Sequence, residues 1–157
     1  MHIEIWSIGK ENEPFIDEGI KVYSQRLKTM ANVRLQLLRL PRRTAGSDPR
    51  TLLLAEEELI MTRLRPQDYL ILLDENGKLL NSVQWSEQIQ QRMNQGSRRM
   101  ILLIGGAYGV SQKVKQQAHQ IWSLSPLVFP HQLVRLMVYE QVYRSFTLLN
   151  GLPYHHH

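Results

Sequence analysis

Short apolar runs alternate along this chain with segments whose apolar residues recur at spacings of three and four, the pattern of an α/β domain with a mainly parallel sheet. His2 to Ile8 reads as a strand. Glu13-Pro14 opens a helix in which Ile16, Ile20, Tyr23, Leu27 and Met30 form one stripe, and Val33 to Leu40 is the second strand. The stretch from Pro41 to Arg50 gathers proline, glycine, serine and three arginines, so an exposed, mobile loop is expected there. A helix follows from about Thr51 to Arg63. Tyr69 to Leu73 suits a strand buried on both faces, and Asp74-Glu75-Asn76-Gly77 supplies turn residues. Ser82 is the expected N-cap of a helix carrying Trp85, Ile89 and Met93 and ending near Gly96. Met100 to Ile104 is the next buried strand, Ser111 caps a helix with Val114, Ala118 and Ile121 inward, and Leu127 to Phe129 is the last strand expected. The longest helix runs from His131 to about Leu149, with Val134, Met137, Val138, Val142, Phe146 and Leu149 on one side.

The 157 residues, 43% of them hydrophobic, can bury one proper core but are short for two, so a single domain over residues 1–157 is expected. The 19 Lys and Arg against 14 Asp and Glu give a net charge of +5, which favours polyanionic partners. Without cysteine the chain forms no disulfide, thiolate metal site or cysteine nucleophile, in keeping with a reducing compartment. The segment Met1 to Trp6 carries a carboxylate in its first apolar stretch and reads as no secretion signal, and the longest apolar runs are too short to cross a bilayer as a helix. A soluble, cytoplasmic protein with no membrane partner is the expectation.

In a parallel α/β sheet, ligands bind at the carboxyl ends of the strands. Three segments fall there: Leu72 to Glu75, Ile104 to Gly109, and Ser123 to Phe129. Gly105-Gly106 directly after a strand lets a ligand approach the backbone, and it also suits a tight strand-to-helix turn. Neither G-x-G-x-x-G nor G-x-x-x-x-G-K-[ST] occurs, which weakens dinucleotide and P-loop readings. Asp74-Glu75 are adjacent, so on an extended segment their carboxylates point apart and read as a solvated turn. His131, after Pro130 at the start of the long helix, sits where the helix dipole disfavours protonation; a neutral imidazole there takes or gives a proton, or simply caps and packs. Glu140 and Arg144 are spaced as a helix-surface ion pair, and Arg135, Tyr139 and Tyr143 as a second stripe suited to a protein interface. The closing His155-His156-His157 reads as a metal-binding tract or the remainder of a purification tag, and no native metal is expected.

Taken together, Leu103 to Gly109, Trp122 to Ser125, Phe129 to Arg135, Glu140 to Arg144 and Pro153-Tyr154-His155 closely resemble the large-subunit ribosomal RNA methyltransferase H family of the SPOUT superfamily. The similarity runs from Ser7-Ile8-Gly9-Lys10 to the last residues, with its specific motifs in the C-terminal half. The resemblance implies a single-domain, SPOUT-type parallel-sheet α/β fold with a C-terminal trefoil knot over residues about 70–155, although general rules of chain topology argue against knots. It implies S-adenosylmethionine as cofactor, S-adenosylhomocysteine as product, and an obligate homodimer. Leu73, Gly105, Gly106, Leu124, Ser125, Pro126, Leu127, Val128 and Phe129 are the expected cofactor-binding residues. The implied reaction is methylation of N3 of a pseudouridine in large-subunit (23S) ribosomal RNA on the assembled ribosome. Family chains commonly end in Tyr-His followed by a basic residue; here Tyr154 and His155 match and His156 replaces the basic residue.

Methyl transfer from a sulfonium needs in-line placement of nucleophile and methyl and removal of the imide proton, and no metal. Tyr154 and His155 are therefore expected to close over the target base, Tyr154 by stacking and His155 by accepting the imide proton or orienting a water, with His131 and Arg135 contributing from the long helix. Arg135 would meet phosphate or the developing imide anion. A second stripe of Leu136, Tyr139 and Tyr143 is expected to bury against a twin. Two other readings compete: a non-catalytic RNA-binding domain using Arg42, Arg43 and Arg50, and an α/β enzyme using another nucleotide.

Overall fold

The structure, a computed structural model, describes residues 1–156. Five strands, β1 (His2–Ile8), β2 (Asn32–Leu38), β3 (Tyr69–Leu79), β4 (Arg99–Ile104) and β5 (Gln120–Ser123), form one sheet in the order β2-β1-β4-β3-β5. All four pairings are parallel. Five helices connect and cover them: α1 (Pro14–Leu27), α2 (Pro49–Met61), α3 (Ser82–Asn94), α4 (Gln112–Gln117) and α5 (His131–Leu149). This is the expected single-domain parallel α/β architecture.

The period of two along each strand sorts its side chains between two cores. Ile3, Ile5, Ile71, Met100, Leu102 and Ile104 face α1, α3 and α5, packing on Leu27, Trp85, Ile89, Val138 and Val142. Trp6, Ile8, Leu70, Leu72, Ile101 and Leu103 face α2 and α4, meeting Ile60 and Val114. Central strands buried on both faces therefore read as unbroken apolar runs.

Local chemistry sets the helix starts. Pro14 occupies the first turn of α1, and the Glu13 N–H donates to Gln132 Oε1 at 2.6 Å, tying that start to α5. Asp48 caps α2, which begins at Pro49 rather than Thr51, by accepting the Thr51 N–H at 2.9 Å; that bond holds its carboxyl below the usual range. Asn81, not Ser82, caps α3: its side chain accepts the Gln84 N–H and Gln84 Oε1 accepts the Asn81 N–H, both at 2.9 Å. Ser82 instead donates to Gln141 Oε1 on α5 at 2.8 Å. Ser111 caps α4 as expected.

Three boundaries depart from expectation. The turn expected at Asp74 to Gly77 is an irregularity inside β3, whose pairing with β5 shifts register between Leu73 and Lys78. The helix after Ser111 stops at Gln117, and Ile121 lies in β5, because His119 donates its N–H to Leu70 O at 2.8 Å and draws the chain onto β3. Leu127 to Phe129 is no strand. Leu127 and Val128 are 68% and 79% exposed, in a loop where Ser125 Oγ accepts the Leu127 N–H at 2.9 Å. Of the stretch expected as a loop, residues 41–48 form one containing a 3-10 turn, Arg42–Thr44, while Pro49 and Arg50 open α2.

The opposite end of the sheet, where the strands begin, is held by charge. Arg99 Nε donates to Asp68 Oδ1 at 2.8 Å, Nη2 meets Asp68 Oδ2, and Nη1 reaches Glu4 at 3.4 Å. Burial raises the Asp68 carboxyl, but the Arg99 bond and charge and the Arg65 N–H outweigh it and hold Asp68 below its ordinary value. Asp68→Ala leaves a largely buried guanidinium without its main partner and is expected to cost about 3 kcal/mol in urea unfolding; a loss under about 0.5 kcal/mol, the range of ordinary surface changes, would contradict this.

Candidate active site

The carboxyl ends of β3, β4 and β5 and the first turn of α5 enclose a cavity of about 520 Å³, within the range typical of small-molecule sites. Leu73, Gly105, Gly106, Leu124, Ser125, Leu127, Val128 and Phe129 line it, as does His131. Among the expected cofactor residues Pro126 alone does not; it lies between Ser125, whose Oγ accepts the Leu127 N–H at 2.9 Å, and Leu127. Asp74 and Glu75 are on the wall too, so they form part of a cavity rather than a solvated turn; Asp74 lies 3.8 Å from Lys115 Nζ, which also faces the cavity. The lining thus offers apolar side chains for a flat ring, backbone groups of the 124–129 loop, and charges of both signs.

Gly106 is glycine for a reason absent from the sequence argument. A Cβ there would lie 2.7 Å from Glu56 Oε2 and 2.8 Å from its Cδ, so the Glu56 carboxyl occupies the space behind the turn. Glu56, on α2, is 7% exposed, and burial raises its carboxyl to about 7. Sequence reading missed it inside Glu56-Glu57-Glu58. The signal was its place between Leu52 and Ile60 at helical four-residue spacing, on the stripe that turns inward.

At the start of α5, burial and then the neighbouring Arg135 cation lower the His131 imidazole below 6.5. The expected neutrality is present, with burial as its leading cause. Arg135 does not stand in an interface stripe: it is 1% exposed, and its guanidinium is used internally. Nε donates to Ser7 Oγ at 2.8 Å, Nη1 to Lys10 O at 2.9 Å and Asn12 Oδ1 at 2.7 Å, and Nη2 to Ile8 O at 3.4 Å. Tyr139 is likewise core, 3% exposed.

Tyr154 and His155 are brought together elsewhere. Tyr154 Oη donates to Glu140 Oε1 at 3.1 Å, its ring meets Tyr143 edge-on at 4.8 Å, and the Arg144 guanidinium lies 4.7 Å over it. Arg144 Nη1 donates to His155 Nδ1 at 3.2 Å, and its Nε to Glu140 Oε1 at 3.0 Å. Glu140 and Arg144 are therefore more than a surface pair: they organise the tail. Burial and the hydrogen bonds to Tyr23 and Glu140 keep the Tyr154 phenol protonated. Along α5, Arg144 is thirteen residues beyond His131, about 20 Å at helical rise. Within one chain the tail cluster and the cavity are separate. His157 lies outside the described residues, among which no group of three or more His, Cys, Asp or Glu is placed to hold a metal and no helix is long and apolar enough to cross a membrane.

A five-stranded parallel sheet with its cavity at the strand ends, beside a loop leading into a long final helix, is a parallel α/β fold with a candidate ligand site at the carboxyl edge. The family model described as "Predicted SPOUT methyltransferase" matches residues 1–155, and the chain belongs to that family. It is 41% identical over 156 residues to the ribosomal RNA large subunit methyltransferase H of Christiangramia forsetii, covering 99% of each chain. It is 39% identical to the protein of that name from Cytophaga hutchinsonii, over 99% of this chain and 100% of the relative, and 38% identical to that from Desulfitobacterium hafniense, over 99% of each.

The His131 environment makes a pH prediction. As pH falls from 6.5 the unfolded chain takes up this proton before the folded one, so the stability present above 6.5 is lost on acidification. His131→Gln is expected to flatten that part of the stability curve, and the imidazole to titrate below 6.5 by NMR. A midpoint at or above 6.5 would contradict the placement.

Proposed function

We propose that this protein transfers a methyl group from S-adenosylmethionine to N3 of a pseudouridine in large-subunit ribosomal RNA on the assembled ribosome, as a cytoplasmic homodimer without a metal. The observation that carries the reading is the cavity at the ends of β3, β4 and β5, lined by Gly105, Gly106 and the 124–129 loop, in a chain matching methyltransferases of ribosomal RNA end to end. The residues present fit the cofactor. Leu73, Leu127, Val128 and Phe129 suit an adenine ring, backbone groups of the 124–129 loop suit its polar edge, and Asp74 and Glu75 suit a cationic group. When bound, S-adenosylmethionine supplies an electrophilic methyl on a sulfonium sulfur.

The chain's own residues do the rest. The cavity walls fix orientation. Neutral His131, at the rim where the long helix begins, accepts the imide proton of the target base. Arginine has only donors, so His155 Nδ1 accepts from Arg144; the neutral ring then carries its proton on Nε2 and acts as a donor. Arg135 acts as a positioning residue, holding the first turn of α5 against the end of β1.

The separation of about 20 Å between His131 and Arg144 supports a homodimer in which a second copy's tail completes the site. A further cavity of about 540 Å³, lined by Leu80, Leu133, Leu136 and Met137 among others, offers a half-buried apolar face for that copy. Tyr139 and Tyr143, once expected on this face, are used within the chain. The proposal extends to the trefoil knot over about residues 70–155. In its support, β5 lies at the far edge beyond β3, and the chain then returns past the ends of β3 and β4 to an α5 that packs on α1 and α3.

Removing the tail after Pro153 is expected to leave S-adenosylmethionine affinity, measured by calorimetry, within about twofold of the parent and dimer mass unchanged. Methylation of ribosomes should fall at least a hundredfold, roughly the scale of losing one acid–base group. Full methylation by the truncated chain would overturn the role of Tyr154 and His155, and absence of cofactor binding by the parent would overturn the reading as a whole.

A further inference from the structure

Glu56 is the one buried carboxyl in contact with the cavity's glycine turn that the proposed mechanism leaves without a task. Its side chain lies behind Gly106, whose backbone forms the cavity wall, and the missing Cβ is what lets the carboxyl come so close. Among the described residues no side chain or backbone N–H is hydrogen-bonded to it and no cation is paired with it. The charged groups on the elements packed with α2 are otherwise placed. Lys113 on α4 lies 3.6 Å from Glu57, Lys115 lies 3.8 Å from Asp74, and Arg42 and Arg43 belong to the exposed 3-10 turn. Tyr108, on the glycine turn itself, is mostly exposed.

A buried carboxylate without a counterion is costly, so such a group stays neutral until a positive charge arrives beside it. Gly106, against which the carboxyl packs, lines the cavity, so the charge acts on the cavity across the glycine backbone. On the reading that the cavity takes S-adenosylmethionine, the two ligands it must tell apart differ by one positive charge, carried on sulfur: the cofactor is a sulfonium and the spent product, S-adenosylhomocysteine, an uncharged thioether.

We infer that Glu56 is a specificity-determining residue of the cofactor site, whose carboxyl behind Gly106 interacts more favourably with the sulfonium cofactor than with its thioether product and so favours release of the spent form. Binding of the cation is coupled to loss of the Glu56 proton to solvent; binding of the thioether is not. The burial that raises the carboxyl to about 7 places this coupling in the physiological range.

The test is calorimetric titration of the purified full chain with S-adenosylmethionine and, separately, S-adenosylhomocysteine between pH 6 and 8, in phosphate and in imidazole, which both buffer in that range and whose ionisation enthalpies differ. At pH 6 the cofactor is expected to release close to one proton per site and the product far less. The ratio of cofactor to product affinity should rise roughly tenfold from pH 6 to pH 8, the span of a single group titrating near 7. In Glu56→Gln the release should vanish and the ratio become flat with pH. In His131→Gln, which removes the cavity's histidine, both should persist. Equal proton release by the two ligands, or a Glu56→Gln chain with an unchanged pH dependence, would overturn the inference while leaving the cofactor reading intact. Failure of the parent to bind either ligand would instead overturn that reading. Should Glu56→Gln not fold, the parent's pH-dependent affinity ratio decides alone.

Discussion

The buried guanidinium of Arg135 is the interaction on which the geometry of the site depends. It reaches from the first turn of α5 to the carboxyl end of β1 and gathers the Ser7 hydroxyl, the carbonyls of Ile8 and Lys10, and Asn12. Asn12 passes the charge on, its Nδ2 donating to Asp17 at 2.8 Å, so a cation deep in the fold is answered by carbonyls and, through one amide, by a carboxylate. Gly9 belongs to the same arrangement: at φ +135° it takes a conformation that side-chain-bearing residues rarely adopt, and a Cβ there would lie 3.0 Å from Arg135 Nη2. This clamp ties the start of α5 directly to the end of β1, beside the cavity that His131 lines.

From that anchored start α5 works as a ruler. Its first turn serves the cavity, Val138, Tyr139 and Val142 fill the core, and on another face Glu140 and Arg144 hold the chain's own tail. A rigid helix of 19 residues holds the cavity and the tail cluster apart, and the proposed homodimer is what would bring them together. The exposure of Leu127 and Val128 fits the same scheme. Apolar residues held out of the core beside a cavity belong to a surface that a ligand or a second chain covers.

Much of this was legible in the sequence, and the exceptions have physical causes. The buried strands and the long final helix announced themselves through periodicity, and α5 has the bounds the pattern gave, His131–Leu149. β5 was misplaced because hydrophobicity alone cannot say whether an apolar triplet such as Leu127 to Phe129 is core or binding surface. Ile121 fitted a helical spacing equally well, and only the backbone bond from His119 to Leu70 decides for a strand. Arg135 read as part of an interface stripe because its partners, two backbone carbonyls and the side chains of Ser7 and Asn12, come from the far end of the chain and leave no trace in a local pattern. Glu56 hid among two other glutamates. The cavity lining, by contrast, was legible through resemblance: eight of the nine expected cofactor residues line it.

The most direct test of a site built from two chains is complementation. Two inactive variants, one truncated after Pro153 and the other carrying Gly105→Val in the cavity wall, would be unfolded and refolded together and assayed for ribosome methylation. The mixed dimer contains one site with an intact cavity and an intact tail from the opposite chain, so the account predicts recovery of about a quarter of parental activity, from half the molecules with one working site each. No recovery above the separate variants, with mixed dimers present by mass, would contradict it.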